Sequence, residues 1–480
     1  MSTRVLATDA AKQAATQMRS LLQGDLLQRT QEALQALRAL GNPGVWDGPT
    51  ATTFRQSLAP KVQTSLTGAL QSLQQLQQHC DQVVQDIVHA GTSGTMSGGV
   101  LAKADNPPVL DQKAKDMLAY FRQHVNDDGF WGDQGSLEAI DKQLAQLTPE
   151  ERAAFLSQLS PAELQNWNKQ ISRGGGGFWQ SEGLNTGDRI QLANLLLGSA
   201  DPATLARLEA NMPGLQPNGH NSEETPTGWT STTDKPLFGP DGKPVVGDVN
   251  QGNEGDCWFL SGLGAVAMKN PQLIQQNIHQ NDNGTYTVTF YQDGKPVQVT
   301  VTDSVPGGSQ YGDYAHPGTG DDAKWAQIYE KAYAQLRGGY GPIEGGFGDT
   351  AMSAITGQPA TREDLNPSLP WEHGPSLSDI SSKLSSGYAI TSGTQDGKDW
   401  PWSSEPNRLD NGWVVPSHEY MVQSVDTNAH PPTITLLNPW GQSGAGPPDP
   451  KGNGAPETVT LTEDQWHQYF GTVSLSQVGK

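Results

Sequence analysis

Three segments in the C-terminal half contain residue types that together can attack a carbonyl carbon. Cys257 follows a glycine-rich turn in DVNQGNEGDCWFL, His418 stands in VVPSHEYMV, and Asn438 ends the strand-like TITLLNPWG. A cysteine thiolate is a strong nucleophile that needs a proton acceptor, and histidine accepts protons near neutral pH. An asparagine oxygen can fix the tautomer of that histidine. The three residues predict covalent thiol chemistry, with Cys257 as nucleophile, His418 as base and Asn438 as orienting group.

Residues around the cysteine can support this chemistry. The apolar residues after Cys257 suit a helix that begins at the cysteine, and a helix N-terminus favours the thiolate over the thiol. Gln251 lies six positions earlier, where its amide and the cysteine N–H can stabilise an oxyanion. Asp256, Trp258 and Trp440 are expected to shape the site, Trp440 by shielding the histidine from water.

Each of these residues also has an interpretation without chemistry. A cysteine before tryptophan commonly belongs to a core, a single histidine is commonly a packed or surface residue, and an asparagine before proline suits a turn. Gln251 can likewise be a turn residue. The order of the three motifs and their flanking residues favour the catalytic interpretation. Cys80, on a helix rich in Gln and Leu without an adjacent Lys or Arg, is assigned no function.

Helical patterns dominate the N-terminal half. Two stretches with apolar residues at helical spacing are separated by GNPGVWDG, which predicts a helical hairpin. Further along, Thr148 and Ser160 are each followed by proline and early acids, a pattern typical of helix starts. Trp131 and Trp179 are expected in the core. The predicted units are a hairpin (1–90), a linker (91–109), a helical domain (110–216) and a second linker (217–235).

Strand patterns appear after the cysteine. Residues 285–291 and 296–302 alternate in polarity and are joined by a turn containing Asp293-Gly294, which predicts a β-hairpin. A helical segment, AKWAQIYEKAYAQLRGGYG, follows, and the remaining segments YAITSGT, GWVVPSHEYMVQSVD and TITLLNPWG return to strand patterns. The C-terminal half is therefore predicted to be mainly sheet.

The bulk composition excludes several classes of function. With 480 residues the chain is longer than a single hydrophobic core usually supports, so two or three folded units are expected. The net charge of -21 repels phosphates, so neither nucleic acid nor an anionic lipid surface is an expected partner. Two cysteines exclude a disulfide framework. We expect no signal peptide and no membrane insertion, since no apolar run approaches the roughly 18 residues of a membrane span.

The motifs resemble those of calpains. QGNEGDCWFL is similar to the calpain cysteine motif, SHEYMV to the histidine segment and LLNPWG to the asparagine segment, in the same order. KWAQIYEKAYAQLRGGYGPIEGG and TVTLTEDQWHQYFGTVSLS extend the resemblance over about residues 236–478. It implies an α+β fold, a papain-like core of two lobes with the site between them, preceded by an all-α N-terminal half. Lobe 1 is expected at 236–357 with the cysteine, and lobe 2 at 358–480 with the histidine and asparagine.

The resemblance also bears on cofactors. Animal calpains bind calcium within these lobes, and the first site needs a glutamate in the segment that corresponds to GGFGDTAMSAITG, where none stands here. NDDGFWGDQGSLE is not an EF-hand loop, because with Gly129 at the turn position the twelfth position falls on Gly135 rather than glutamate. We expect no required cofactor and assign no metal ligands, with calcium left as an open alternative.

A second resemblance concerns the N-terminus. GVWDGPTATTFRQSL is similar to the Trp-x-Gly turn of small helical-hairpin substrates of bacterial type VII secretion, over about residues 5–90. It implies a secretion-system partner and export without a signal peptide; a cytoplasmic location is the alternative. Trp46 and Gly48 equally suit a plain turn between two helices, and the tyrosine-bearing export signal is missing from DQVVQDIVHAG.

The expected activity is that of a cysteine endopeptidase that makes limited cuts in protein or peptide substrates. Self-cleavage is expected in the segments 90–107 or 217–235. Two rival functions remain open: a noncatalytic protein-binding module on a papain-like scaffold, and a papain-like acyltransferase that transfers the acyl group to an amine. The helical half is interpreted as a prosegment, an inhibitory cover, or a targeting module.

Overall fold

A computed structural model describes most of the chain after residue 110. The described residues are 35, 59, 111–125, 133–172, 184–219, 229–252, 254–306, 315, 323–367, 373–395, 407–409, 412–441 and 456–478. The chain divides into two compact units, Met1–Ala104 and Asp105–Lys480. Outside the described residues lie the predicted linker 91–109, nearly all of the predicted hairpin 1–90, and Trp46, Gly48, Cys80, Trp131 and Trp179.

Six α-helices occupy the described residues between 111 and 219. They are α1 (Gln112–His124), α2 (Asp133–Gln146), α3 (Pro149–Ser157), α4 (Pro161–Ile171), α5 (Thr186–Ser199) and α6 (Pro202–Asn211). Thr148 and Ser160 each cap a helix: the hydroxyl accepts from the third helical N–H, and the glutamate at that position bonds back to the cap. Proline at the first position loses no intrahelical bond. Both predicted helix starts are confirmed.

The core of this helical module is aromatic. The rings of Phe121 in α1 and Phe155 in α3 meet the Trp167 ring of α4 edge-on, with centroids 4.8 and 6.4 Å away. All three side chains are fully buried. Edge-to-face pairs of this kind stabilise a core beyond the area that they bury.

Asp141 of α2 is an exception in this module. It is 4% exposed and neither carboxylate oxygen has a hydrogen-bond partner. Burial, together with the charges of Asp188 and Glu138, raises the pKa of Asp141 to about 8. The folded state therefore holds this proton at pH values where the unfolded chain has released it. The wild-type protein should lose stability as pH rises from about 4 to about 8.

We expect Asp141→Asn to stabilise the helical module at pH 8, because asparagine removes the buried titratable group without changing the shape of the side chain. The gain in free energy of unfolding should be about 2–4 kcal/mol at pH 8 and should vanish near pH 4. Urea unfolding across this pH range measures it, with the exposed Asp116→Asn of α1 as control. A gain that does not change with pH would contradict the prediction.

The first lobe contains nine α-helices and β-strands in the described residues. They are β1 (Trp229–Ser231), α7 (Cys257–Lys269), α8 (Pro271–Asn277), β2 (Ile278–Gln280), β3 (Tyr286–Gln292), β4 (Lys295–Val301), β5 (Ser304–Pro306), α9 (Trp325–Arg337) and α10 (Gly348–Thr356). The predicted hairpin is confirmed as β3 and β4. Asp293 and Gly294 both have positive φ, 51° and 71°, as a tight turn between right-twisted strands requires. Part of the segment predicted as a linker, β1, pairs with β5.

The helical module packs on the edge of the first-lobe sheet. The strand order β2-β3-β4 leaves one side of β4 open. Asn194 of α5 covers it: Nδ2 donates to the Gln298 carbonyl at 2.8 Å, and Oδ1 accepts from the Thr300 N–H at 2.6 Å. Asn283 in turn donates to two carbonyls at the end of α5, at 2.7 and 2.8 Å. The side-chain amide of Asn194 thus satisfies backbone groups that an open strand edge leaves unpaired.

The second lobe is built on a six-stranded antiparallel sheet with the order β12-β11-β10-β7-β13-β6. Its elements are β6 (Ala360–Asp364), α11 (Leu377–Ser385), β7 (Tyr388–Thr394), β8 (Asn407–Leu409), β9 (Gly412–Val414), β10 (Glu419–Asp426), β11 (Thr433–Leu437), β12 (Thr458–Thr462), α12 (Glu463–Tyr469) and β13 (Phe470–Gln477). Trp466, Tyr420 and Phe470 are fully buried in its core.

Helix α7 lies between the lobes. Every residue from Trp258 to Ala267 is buried, and the helix packs against α10 on one side and against β7 and β10 on the other. Glycine permits this close approach: a Cβ added to Gly262 would lie 2.6 Å from that of Ala351 in α10. Gly264 faces Met421 of β10 in the same way. The predicted α+β class, with helices first and antiparallel sheets later, is confirmed.

Candidate active site

Cys257 is the first residue of α7, as the sequence predicts, and is half-buried. Burial raises the pKa of its thiol to about 12. The backbone N–H groups of Glu419 and Trp258 lower this pKa, while the charges of Glu419 and Asp256 raise it. The expected preference of a helix N-terminus for the thiolate is therefore outweighed in this arrangement. The sulfur holds its proton at neutral pH.

His418 is held by its backbone at the end of the second-lobe sheet. Its N–H donates to Thr394 Oγ1 at 2.9 Å, and its carbonyl accepts from the Thr394 N–H at 2.8 Å. The strand pattern predicted around it is interrupted, because Pro416 has no N–H and Ser417 has a φ of 50°. β10 begins at the residue after His418. The imidazole thus projects from the start of a strand rather than from its middle.

The imidazole of His418 is paired with Asn438. Nε2 lies 2.8 Å from Asn438 Oδ1, and the same oxygen accepts from the Trp440 N–H at 3.2 Å. Because Oδ1 is an acceptor, Nε2 carries the proton and Nδ1 keeps a free lone pair. The Trp440 ring lies against the imidazole with centroids 4.6 Å apart. Burial lowers the pKa of His418 to about 4, and the bond to Asn438 opposes this shift.

Cys257 lies next to the backbone that directly follows His418, at the interface between the lobes. The N–H of Glu419, the residue directly after His418, faces the Cys257 sulfur. Among the described residues, no hydrogen bond joins this sulfur to the imidazole. The thiol, with its pKa near 12, and the imidazole, with its pKa near 4, are both neutral at pH 7. Such a pair can transfer the thiol proton to Nδ1 as the sulfur attacks a carbonyl carbon.

The site residues lie within a stretch that matches a known protein family. Residues 218–446 match the family model described as calpain family cysteine protease. This stretch is a calpain-family domain. It begins earlier and ends earlier than the resemblance over 236–478. It contains the elements that carry Cys257, His418 and Asn438.

Several curated calpains are similar to the chain. Calpain-13 of Rattus norvegicus is 30% identical over 207 residues, which cover 41% of this chain and 29% of that protein. Calpain-type cysteine protease DEK1 of Zea mays is 31% identical over 199 residues, which cover 40% of this chain and 9% of that protein. Calpain-8 of Homo sapiens is 29% identical over 206 residues, which cover 41% of this chain and 28% of that protein. The chain therefore spans less than a third of the length of these relatives.

Gln251 of the calpain-family domain is buried close to the other site residues. Its backbone N–H donates to the Pro439 carbonyl at 2.8 Å, which ties the loop before Cys257 to the loop after Asn438. Its side-chain Nε2 donates to the Glu254 carbonyl at 2.6 Å, within its own loop. The amide that was expected to hold an oxyanion is thus engaged elsewhere in this arrangement, and the oxyanion role stays a prediction.

The residues expected to shape the site point inward. The Trp258 Nε1 donates to the Ile343 carbonyl at 2.9 Å. The Asp256 carboxyl is fully buried and faces Glu330 of α9. Burial raises the pKa of both carboxyls. The charge of Glu254 raises the pKa of Asp256 further, and the hydrogen bond with Glu330 opposes this shift. The charge of Asp256 in turn raises the pKa of Glu330. Two carboxyls in contact do not ionise together, so this pair keeps at least one proton and carries at most a single negative charge beneath the loop of Cys257.

The sequence motifs do not predict a role for three residues of the site. Thr394 holds the histidine backbone, Glu330 supports Asp256, and Glu419 contacts the cysteine helix. Thr394 and Glu330 become neighbours of the site only through the fold. The one sequence signal is a charged residue, Glu419, at the start of an otherwise apolar strand segment.

Two further properties concern metals and membranes. In the part of the chain that the structure describes, no group of three or more His, Cys, Asp or Glu side chains is arranged to hold a metal ion. None of the helices in those residues has both the length and the apolarity needed to cross a bilayer.

Proposed function

We propose that this chain is a cysteine endopeptidase in which Cys257 is the nucleophile, His418 the base and Asn438 the residue that orients the base. One observation carries the proposal. The Asn438 oxygen fixes the proton on His418 Nε2, which leaves Nδ1 as acceptor next to the backbone that faces the Cys257 sulfur. The match of residues 218–446 to calpain family cysteine proteases supports it.

The proposed reaction has two halves. In the first, Nδ1 of His418 takes the thiol proton while the Cys257 sulfur bonds to the carbonyl carbon. The oxyanion is held by the Cys257 N–H and by Gln251, whose side chain turns away from the Glu254 carbonyl. The imidazolium then protonates the leaving amine, and a thioester remains. In the second half, water gives a proton to His418 and attacks the thioester, which releases the acid and restores the thiol.

Labelling with an epoxide thiol inhibitor tests the nucleophile. We expect one equivalent of label on the intact protein, located at Cys257 by peptide mass mapping. The chain has a second cysteine, Cys80, as an internal control. Cys80→Ala should label like the wild type, whereas Cys257→Ala should not label. Equal labelling at both cysteines, or none at either, would argue against an activated nucleophile.

The rival functions stay within the proposal as alternatives. A noncatalytic protein-binding module would show no selective label at Cys257, whereas an acyltransferase would label but pass its acyl group to an added amine rather than to water. Product analysis with a peptide substrate and an added amine distinguishes an acyltransferase from a peptidase. We propose that the enzyme requires no cofactor, with calcium as the open alternative. Equal rates of hydrolysis with calcium and with a chelator would support activity without a cofactor.

The biological setting is also a proposal. The sequence of the predicted N-terminal hairpin resembles type VII secretion substrates, so we propose a bacterial effector exported by a secretion-system partner, with a cytoplasmic enzyme as the alternative. The polar, small-residue composition of 90–107 and 217–235 suits self-cleavage. Recovery of the protein only from the lysate of a secretion-competent host would speak against export.

A further inference from the structure

Glu419 is the first residue of β10 and directly follows His418. Its side chain is 5% exposed, and a carboxyl in such a place needs partners to ionise. It belongs to the second lobe by its strand. Its contacts, however, extend to two helices of the first lobe.

The backbone of Glu419 contacts the nucleophile helix at two points. Its N–H faces the Cys257 sulfur, and its carbonyl accepts from Ser261 Oγ at 2.9 Å. Cys257 and Ser261 are one turn apart on α7. The first residue of β10 is thereby fixed against the first turn of α7.

The side chain of Glu419 occupies a fitted space. Oε1 accepts from Thr391 Oγ1 of β7 at 2.5 Å, and the N–H of Gly348, the first residue of α10, also donates to the carboxylate. A Cβ added to Gly348 would lie 2.8 Å from Oε1, and one added to Gly393 would lie 2.7 Å from Oε2. Two glycines therefore leave the room that this carboxylate fills. The helix N-terminus of α10 additionally favours a negative charge there.

The charged groups around this carboxylate come from three elements. Asp349 of α10 raises its pKa and Arg362 of β6 lowers it, while Cys257 of α7 faces it from the active site. Burial is the largest influence and raises the pKa of Glu419 to about 7. From β7 and β13, the polar side chains closest to the carboxylate and to Gly393 are the uncharged Thr391 and Thr472.

We propose that Glu419 is a positioning residue that joins the two lobes at the catalytic site and sets His418 opposite Cys257. Its backbone holds α7 and its carboxylate holds the start of α10, so the adjacent His418 is placed relative to both helices. The kinetic part of this inference rests on the proposed peptidase function. The thiol reactivity described below does not.

Paired substitutions separate shape from charge. Glu419→Ala removes the carboxylate, and we expect kcat for a peptide substrate to fall roughly 10- to 100-fold, with KM changed less than about threefold. Glu419→Gln keeps an acceptor oxygen for Gly348 and Thr391, so kcat should return to within about threefold of the wild type. Thermal unfolding of each variant checks that the fold is retained.

The alkylation rate of Cys257 gives a readout that needs no peptidase activity. In a Cys80→Ala background, the Glu419 carboxylate raises the pKa of the thiol. Glu419→Gln removes that charge, so iodoacetamide should react at least about twofold faster at pH 8, with the pH profile moved to lower pH. If Glu419→Gln speeds alkylation as expected but the wild type cleaves no peptide, the peptidase proposal fails, and the contact of Glu419 with the Cys257 thiol is still supported.

A second pair of variants covers the case in which Glu419→Ala does not fold. Gly393→Ala places a methyl group against Oε2 and should displace the carboxylate, with a loss of kcat in the same direction. Gly471→Ala on the neighbouring strand β13 meets only the Gln395 side chain at 3.4 Å and should behave like the wild type. Wild-type kcat in Glu419→Ala and Gly393→Ala, with unchanged alkylation rates in Glu419→Gln, would overturn the proposal.

Discussion

Replacing Cys257 with alanine is expected to abolish hydrolysis of protein substrates, with a loss in kcat/KM of roughly 10⁴-fold or more. The reason is chemical: alanine supplies no atom that can bond to the carbonyl carbon. The remaining oxyanion donors and the imidazole of His418 then act only on water. Cleavage of a denatured protein, followed on a gel and by mass spectrometry, measures the effect. The same variant should also stay intact in the segments 90–107 and 217–235, where we propose self-cleavage of the wild type.

We expect Cys257→Ala to fold like the wild type, so a loss of activity would report on chemistry and not on unfolding. Cys257 is half-buried at a helix start, and the helix is held by the buried residues from Trp258 to Ala267. Cys80→Ala serves as the matched control and should retain full hydrolysis. Fragments that appear equally in Cys257→Ala would mean that another protease makes the cuts. Retained activity of the purified variant would remove Cys257 from the mechanism.

Removing the Asn438 side chain is expected to have the second largest effect. In Asn438→Ala the His418 ring loses the acceptor 2.8 Å from Nε2, and the Trp440 N–H loses its bond to the same oxygen. The imidazole can then adopt the tautomer with its proton on Nδ1, which cannot accept the thiol proton. We expect kcat to fall on the order of 10²-fold with little change in KM. Initial rates over a range of peptide concentrations measure both quantities.

Asn438→Asp tests the same contact with the acceptor retained. The aspartate still accepts from Nε2, so kcat should fall much less than in Asn438→Ala. Its charge also stabilises the imidazolium and raises the pKa of His418 from about 4. A base is lost when it is protonated, so the acidic limb of the pH–rate profile should move upward by roughly one pH unit or more. Equal losses in the two variants, with an unmoved acidic limb, would show that the amide acts only in packing.

The protonation states have a single physical origin. Burial disfavours charge on either partner, so the thiol keeps its proton and the imidazole stays neutral. An ion pair of thiolate and imidazolium would need more solvent or a new donor at the sulfur. For the proposed peptidase we therefore expect proton transfer to accompany bond formation rather than to precede it. In the proposed mechanism, the turn of Gln251 away from the Glu254 carbonyl would supply a donor to the developing oxyanion.

Local signals determined much of this protein. The helix starts at Thr148 and Ser160 are stabilised within four residues, and the turn at Asp293-Gly294 requires only two residues that tolerate positive φ. The cysteine, histidine and asparagine were likewise singled out by residue type and flanking sequence. Such features are set by residues that are close together in the sequence, so the sequence alone predicts them.

Only the tertiary structure decided the chemical state of these groups. The helix N-terminus predicted a thiolate at Cys257, yet burial between two lobes holds the proton on the sulfur. Glu419 entered the site because residues from α7, α10 and β7 converge on it, and the Asp256–Glu330 pair formed because α9 packs beneath the cysteine loop. A pKa and a hydrogen-bond partner depend on solvent exclusion and on groups that are distant in the sequence. The spacing of residues along the chain therefore predicts neither the pKa of a group nor its hydrogen-bond partner.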